Sequence, residues 1–184
     1  MNNIFLIGYR CTGKTTLGRA LARRLDRPFV DTDDAITAAT GQDIRTLVNR
    51  CGWDHFRDLE RRQIAASARL THHVVATGGG AVLAAENVAA MRAGGTVVWL
   101  RCRPDTIERL MRADVRSDAM RPRLTGDGLR REIETTLAAR EPLYRRAMHF
   151  ALDTDDFDID RLCDTIIAAV QASGPTPPDY TTNQ

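Results

Sequence analysis

Gly8-Tyr9-Arg10-Cys11-Thr12-Gly13-Lys14-Thr15 sets two glycines, one lysine and one hydroxyl at the spacing G-x-x-x-x-G-K-[ST]. Glycines at those places let backbone N–H groups turn inward around phosphate oxygens, and a helix starting there adds the positive end of its dipole. The Lys14 ammonium can then bridge the β- and γ-phosphates of a nucleoside triphosphate such as ATP, while the Thr15 hydroxyl joins the shell of a Mg²⁺ ion. Cys11, Thr12, Gly13 and Thr16 complete the run that would wrap the phosphates. Of 26 basic residues in the chain, 25 are arginine and only Lys14 is lysine. Arginine is a planar fork and lysine a compact point charge, so the exception falls where a point charge suits the chemistry.

A phosphate loop alone says that a nucleotide binds; other residues must say what receives the phosphoryl group. Asp31 and Asp33 stand two apart at the end of a short apolar run. One carboxylate there can hold a metal-bound water while the other faces a substrate hydroxyl. The next apolar run ends in Ala76-Thr77 with no acidic residue, so Asp31 is the available metal-side carboxylate. The alternative use is that Asp33 or Asp34 caps the following helix. Gly78-Gly79-Gly80 would bare three backbone N–H groups in the same crevice, or else form a plain turn. Arg57 and Arg140 could clamp a carboxylate in bidentate fashion, although spacing does not separate them from the other arginines. Arg121, followed by Pro122, could swing onto a transferring phosphoryl group or stay an exposed loop residue.

These residues need a scaffold that brings loop ends together. Ile4–Ile7 is a continuous apolar run of the kind buried on both faces of a parallel sheet. Further strands are expected at Pro28–Val30, His73–Ala76, Thr96–Leu100 and Phe150–Leu152. Helical patterns lie between them at about Gly13–Leu25, Asp33–Thr40, Asp43–Arg50, Trp53–Leu70, Ala84–Arg92, Pro104–Met111 and Leu129–Arg140. In the last helix Ile159, Leu162, Cys163, Ile166, Ile167 and Val170 form a core-facing stripe. Strands alternating with helices imply right-handed βαβ units, hence an α/β fold with three layers and a five-stranded parallel sheet. Ligands of such sheets collect beyond the carboxyl ends of the strands. The segment 112–128 has charges, glycines and a proline but no apolar period, which suits a mobile lid.

With 184 residues, the chain is expected to be one domain over residues 1–172, followed by a flexible tail at 173–184. A net charge of +2 gives no footprint for nucleic acid. The first residues are too short an apolar run for a signal peptide or membrane span, so a cytoplasmic location with no membrane partner is expected. Cys11, Cys51, Cys102 and Cys163, like His55, His72, His73 and His149, show no metal-ligand spacing, and reduced thiols are the simplest expectation.

Taken together, the residues resemble the shikimate kinase family, small P-loop kinases similar in fold to nucleoside monophosphate kinases. The landmarks are residues 8–16, Phe-Val-Asp-Thr-Asp at 29–33, Phe-Arg-Asp-Leu-Glu at 56–60, Gly-Gly-Gly-Ala-Val at 78–82, Arg-Pro-Arg-Leu at 121–124 and Arg-Glu-Pro-Leu-Tyr at 140–144. The resemblance implies transfer of the γ-phosphoryl group of ATP, with Mg²⁺, to the 3-hydroxyl of shikimate in aromatic amino-acid synthesis, by a monomer. It implies Asp33 at the reacting hydroxyl, Asp31 and Thr15 on the metal side, and Arg57 and Arg140 on the substrate carboxylate with Gly79 nearby. It also implies that Lys14 and Arg121 act on the phosphates and Arg112 lies by the adenine. The chain departs from the family pattern at Thr37, Arg123 and Asp156. Alternatives are a kinase of another hydroxylated acid such as gluconate, which should lack the Asp31/Asp33 pair and the Arg57 motif, and a silent nucleotide-binding module.

Overall fold

The computed structural model describes residues 2–113 and 128–172. The expected lid therefore lies, except at its two ends, outside the described residues, and so do Arg121, Arg123 and the expected tail. The strands are β1 (Asn3–Ile7), β2 (Phe29–Asp31), β3 (Val74–Ala76), β4 (Gly95–Arg101) and β5 (Phe150–Asp153). The helices are α1 (Lys14–Leu25), α2 (Thr32–Thr40), α3 (Ile44–Ala68), α4 (Ala85–Gly94), α5 (Pro104–Ala113), α6 (Leu129–Ala147) and α7 (Ile159–Ala172).

All four pairings are parallel and the strand order is β2-β3-β1-β4-β5. Alternation along β1 explains why its apolar run is unbroken. Ile4 and Leu6 face the layer of α1 and α7, while Phe5 and Ile7 face the layer that contains Ile64, Met91 and Tyr144 from α3, α4 and α6. Both faces are covered, as a parallel sheet requires. The stripe of α7 packs as expected, with Leu162, Cys163 and Ile166 buried against the first layer.

Two helices are irregular along their course. Ile44–Ala68 is broken at Gly52, whose φ of 82° and ψ of 167° are not helical. That break matches the separation expected between Arg50 and Trp53. The other difference is a correction: the helix expected to stop at Arg140 continues as α6 through Pro142 to Ala147. An interior proline removes one backbone bond and costs roughly 3 kcal/mol. Tertiary contacts beyond it offset that cost, because Tyr144 is buried and stacks on Trp99 of β4 with ring centroids 5.5 Å apart.

The topology fixes where chemistry can occur. The chain leaves β1 toward β2 on one side and later returns to β4 on the other, so the crevice opens beside β1. Register pairs Asp31 with Ala76 and Leu6 with Ala76, which brings the loops after β1, β2 and β3 to one edge.

Candidate active site

The loop between β1 and α1 turns through left-handed backbone at Cys11 (φ 60°) and Gly13 (φ 85°), the geometry that builds anion-binding concavities. Lys14 is buried, and its Nζ donates to the carbonyls of Gly8 at 2.9 Å and Tyr9 at 2.6 Å. The Thr12 hydroxyl donates to the Tyr9 carbonyl at 2.8 Å, so the loop is tied to itself from two sides. Thr16 stands exposed on the first turn of α1.

Asp31 ends β2 and is held at both oxygens. Its Oδ2 accepts the Thr15 hydroxyl at 2.7 Å, and its Oδ1 accepts the backbone N–H groups of Asp33 at 3.0 Å and Asp34 at 3.4 Å. Asp31 is thus the cap of α2, which corrects the expectation that Asp33 or Asp34 would serve. With the cap supplied by its neighbour, Asp33 is turned into a cavity, 8% exposed. Thr15 and Asp31 offer only hard oxygen atoms, which fits Mg²⁺, an ion that keeps several waters and takes few protein ligands. Among the described residues no cluster of three or more histidine, cysteine or carboxylate side chains could cage a metal.

The cavity encloses about 480 Å³, part of it open to solvent. The structure brings Asp33, Arg57, Arg140 and Gly78 to Gly80 together around it, with Tyr9 and Arg10 of the phosphate loop forming the side toward Lys14. Trp53 and Phe56 cover it on the α3 side, and the Arg57 guanidinium lies 5.1 Å and 5.2 Å from their ring centroids. Arg140 is 9% exposed and donates from Nη1 to the Gly79 carbonyl at 2.9 Å.

The glycines are required by contact. A Cβ on Gly78 would stand 2.7 Å from Asp33 Oδ1 and 2.8 Å from Glu60 Oε1, and one on Gly80 would stand 2.5 Å from Arg57 Nη2. The loop Gly78 to Gly80 is therefore threaded between charged groups that a side chain would displace.

Several residues of the site escaped the sequence reading. Glu60, 1% exposed, accepts from Arg57 Nη1 at 2.6 Å. Burial raises the Glu60 carboxyl above its ordinary value against the pull of Arg57, and the charge of Asp33 adds to the rise. Its place three residues after Arg57 on a helix was the available signal. Arg10 forms a buried ion pair with Glu132 of α6, which no sequence spacing announces. The Tyr144 hydroxyl donates to the Gly79 carbonyl at 2.6 Å, one turn beyond Arg140. Arg112 is not brought to the cavity; it sits at the end of α5, 68% exposed and paired with Glu108. Asp156 is exposed in the turn after β5.

Among the described residues no helix is long and apolar enough to cross a membrane. The family model described as shikimate kinase matches residues 10–171. Shikimate kinase 2 of Sodalis glossinidius is 45% identical over 151 residues, covering 82% of this chain and 86% of the relative. The shikimate kinase of Burkholderia thailandensis is 38% identical over 172 residues, covering 94% and 91%. A solved shikimate kinase from Acinetobacter baumannii, in complex with shikimate, superimposes with a TM-score of 0.86 at 31% identity and covers 96% of each chain. With a matched model that runs from the phosphate loop into α7, and relatives aligned over most of both lengths, the chain belongs to the shikimate kinase family.

Proposed function

We propose that the chain transfers the γ-phosphoryl group of ATP to the 3-hydroxyl of shikimate. The observation that carries this reading is the cavity itself. Two guanidiniums, those of Arg57 and Arg140, share it with the carboxylate of Asp33, and it opens beside the phosphate loop. A small acid bearing hydroxyls matches both charges at once: its carboxylate meets the arginines and a hydroxyl meets Asp33.

Phosphoryl transfer asks the protein mainly for positioning and for charge stabilisation. Arg57 and Arg140 hold the substrate carboxylate, which fixes the ring. Asp33 accepts the hydrogen bond of the reacting hydroxyl and orients its oxygen toward the phosphate loop. Lys14, with the backbone N–H groups of Cys11 to Gly13 and the hydroxyl of Thr16, offsets the charge of the donor phosphates. Thr15 and Asp31 would hold Mg²⁺, which when bound would supply charge neutralisation for the phosphates. By the family resemblance, Arg121 meets the transferring group and Arg112 lies by the adenine. By the same resemblance, the chain acts as a monomer on a small-molecule substrate.

Coupled ADP release over shikimate, gluconate and nucleoside monophosphates tests the reading. Stimulation by shikimate alone is the expected outcome. A higher kcat/KM for gluconate or for a nucleotide acceptor would overturn it.

A further inference from the structure

The loop Gly78 to Gly80 carries no side chain with which to anchor itself, yet it must stand at a fixed distance from the phosphate loop. Gly79 approaches that loop backbone to backbone: a Cβ there would lie 3.3 Å from the Arg10 nitrogen and 3.6 Å from the Gly8 oxygen. Its carbonyl is held by two donors of α6, Arg140 Nη1 at 2.9 Å and Tyr144 Oη at 2.6 Å. In the function proposed above, Arg140 also serves the substrate carboxylate. Tyr144 does not line the cavity, and its hydroxyl also meets Arg140.

We infer that Tyr144 is a positioning residue, whose hydroxyl fixes the Gly79 peptide and thereby sets the acceptor-side loop against the phosphate loop. The mount is rigid. Tyr144 is 1% exposed, and its ring stacks on Trp99 of the central sheet at an interplanar angle of 18°. The continuation of α6 through Pro142 is what brings Tyr144 onto the face of Arg140, four residues on. Burial pushes the Tyr144 hydroxyl up to about 12, so it stays a donor across the working pH range. Small errors in donor–acceptor placement reduce the rate of such transfers steeply.

The inference rests on the shikimate reading for its kinetic arm but not for its structural arm. Tyr144→Phe keeps the stacked ring and removes the hydroxyl, which is the donor to Gly79 and also a partner of Arg140. In the full chain it should lower kcat/KM for shikimate about fivefold, the scale of one neutral hydrogen bond. KM for ATP should stay unchanged, and the thermal midpoint should fall by only about 2–4 °C, the cost of one buried hydrogen bond. Genetic incorporation of p-aminophenylalanine at 144, which restores an N–H donor at the same place, should recover most of the loss. In the substrate-free protein, amide exchange of Gly78 and Ala81, whose N–H groups donate to Thr32 Oγ1 and to the Gly78 carbonyl, should speed up in Tyr144→Phe. Unchanged exchange overturns the inference whatever the substrate proves to be. Unchanged kcat/KM, or an equal rise in KM for ATP, overturns it too. Absence of shikimate turnover in the wild type would instead refute the proposed function and leave the exchange result to decide the role of Tyr144.

Discussion

Lys14 holds the carbonyls of Gly8 and Tyr9, so its charge shapes the loop to which the proposed function assigns the donor phosphates. An arginine there brings a longer planar fork that cannot reproduce two bonds from a single ammonium. Lys14→Arg should lower kcat/KM by about 10² or more, and loss of two buried partners should cost about 1–3 kcal/mol of stability. Steady-state kinetics with a urea titration of the same variant measures both, and wild-type turnover would show that the point charge is dispensable. Asp33 makes a separable prediction because its neighbour Asp31 already caps α2 and orients Thr15. Asp33→Asn should cut kcat by about 10² or more, while ATP affinity, read by titration calorimetry, changes little. Lys14 and the aspartate pair are legible in the sequence because their chemistry lives in local spacing. Glu60, Arg10 with Glu132, and Tyr144 are less so, since each acts through a partner that only the fold, or a helix turn, brings near.

Helices α3 and α6 deliver Arg57 and Arg140 to the cavity, and each departs from regularity on the way. Gly52 adopts a φ and ψ open almost only to glycine, with no heavy atom within 4 Å of a Cβ built there. The obstacle to a side chain is therefore backbone strain and not crowding. Gly52→Ala should cost about 1–3 kcal/mol and re-aim Trp53, Phe56 and Arg57 at the cavity. KM for shikimate should rise with KM for ATP unchanged; equal KM values in a destabilised variant would show that the break does not aim the site. The break is foreseeable from two helical patterns separated at Cys51-Gly52. The length of α6 is not, because Pro142 is a strong local stop signal and what overrides it is Tyr144 packing on Trp99, a contact between distant parts of the chain.

At the scale of the whole molecule, alternating strands and helices are enough to read a parallel sheet, whereas the order β2-β3-β1-β4-β5 depends on crossovers that periodicity does not encode. That order is what sets the phosphate loop beside the glycine loop. Stability of the assembled sheet should also respond to pH through His149, whose Nδ1 accepts the Val97 N–H at 2.9 Å beside β4. Burial, with the charge of Arg92, lowers its pKa from the ordinary 6.5. As pH falls through that value the unfolded chain binds a proton that the folded one resists, so stability is lost on acidification and is steady above it. The thermal midpoint should fall between about pH 7.5 and about pH 5.5, and less so in His149→Asn, which keeps an acceptor but cannot titrate; identical slopes would remove His149 from the account. The central claim is that the cavity presents the 3-hydroxyl of shikimate to the γ-phosphoryl group. Phosphorus NMR of protein, ATP, Mg²⁺ and shikimate tests it most directly: a phosphomonoester coupled to the ring proton at carbon 3 should grow as ATP becomes ADP, whereas free phosphate alone, or an ester at another position, would contradict it.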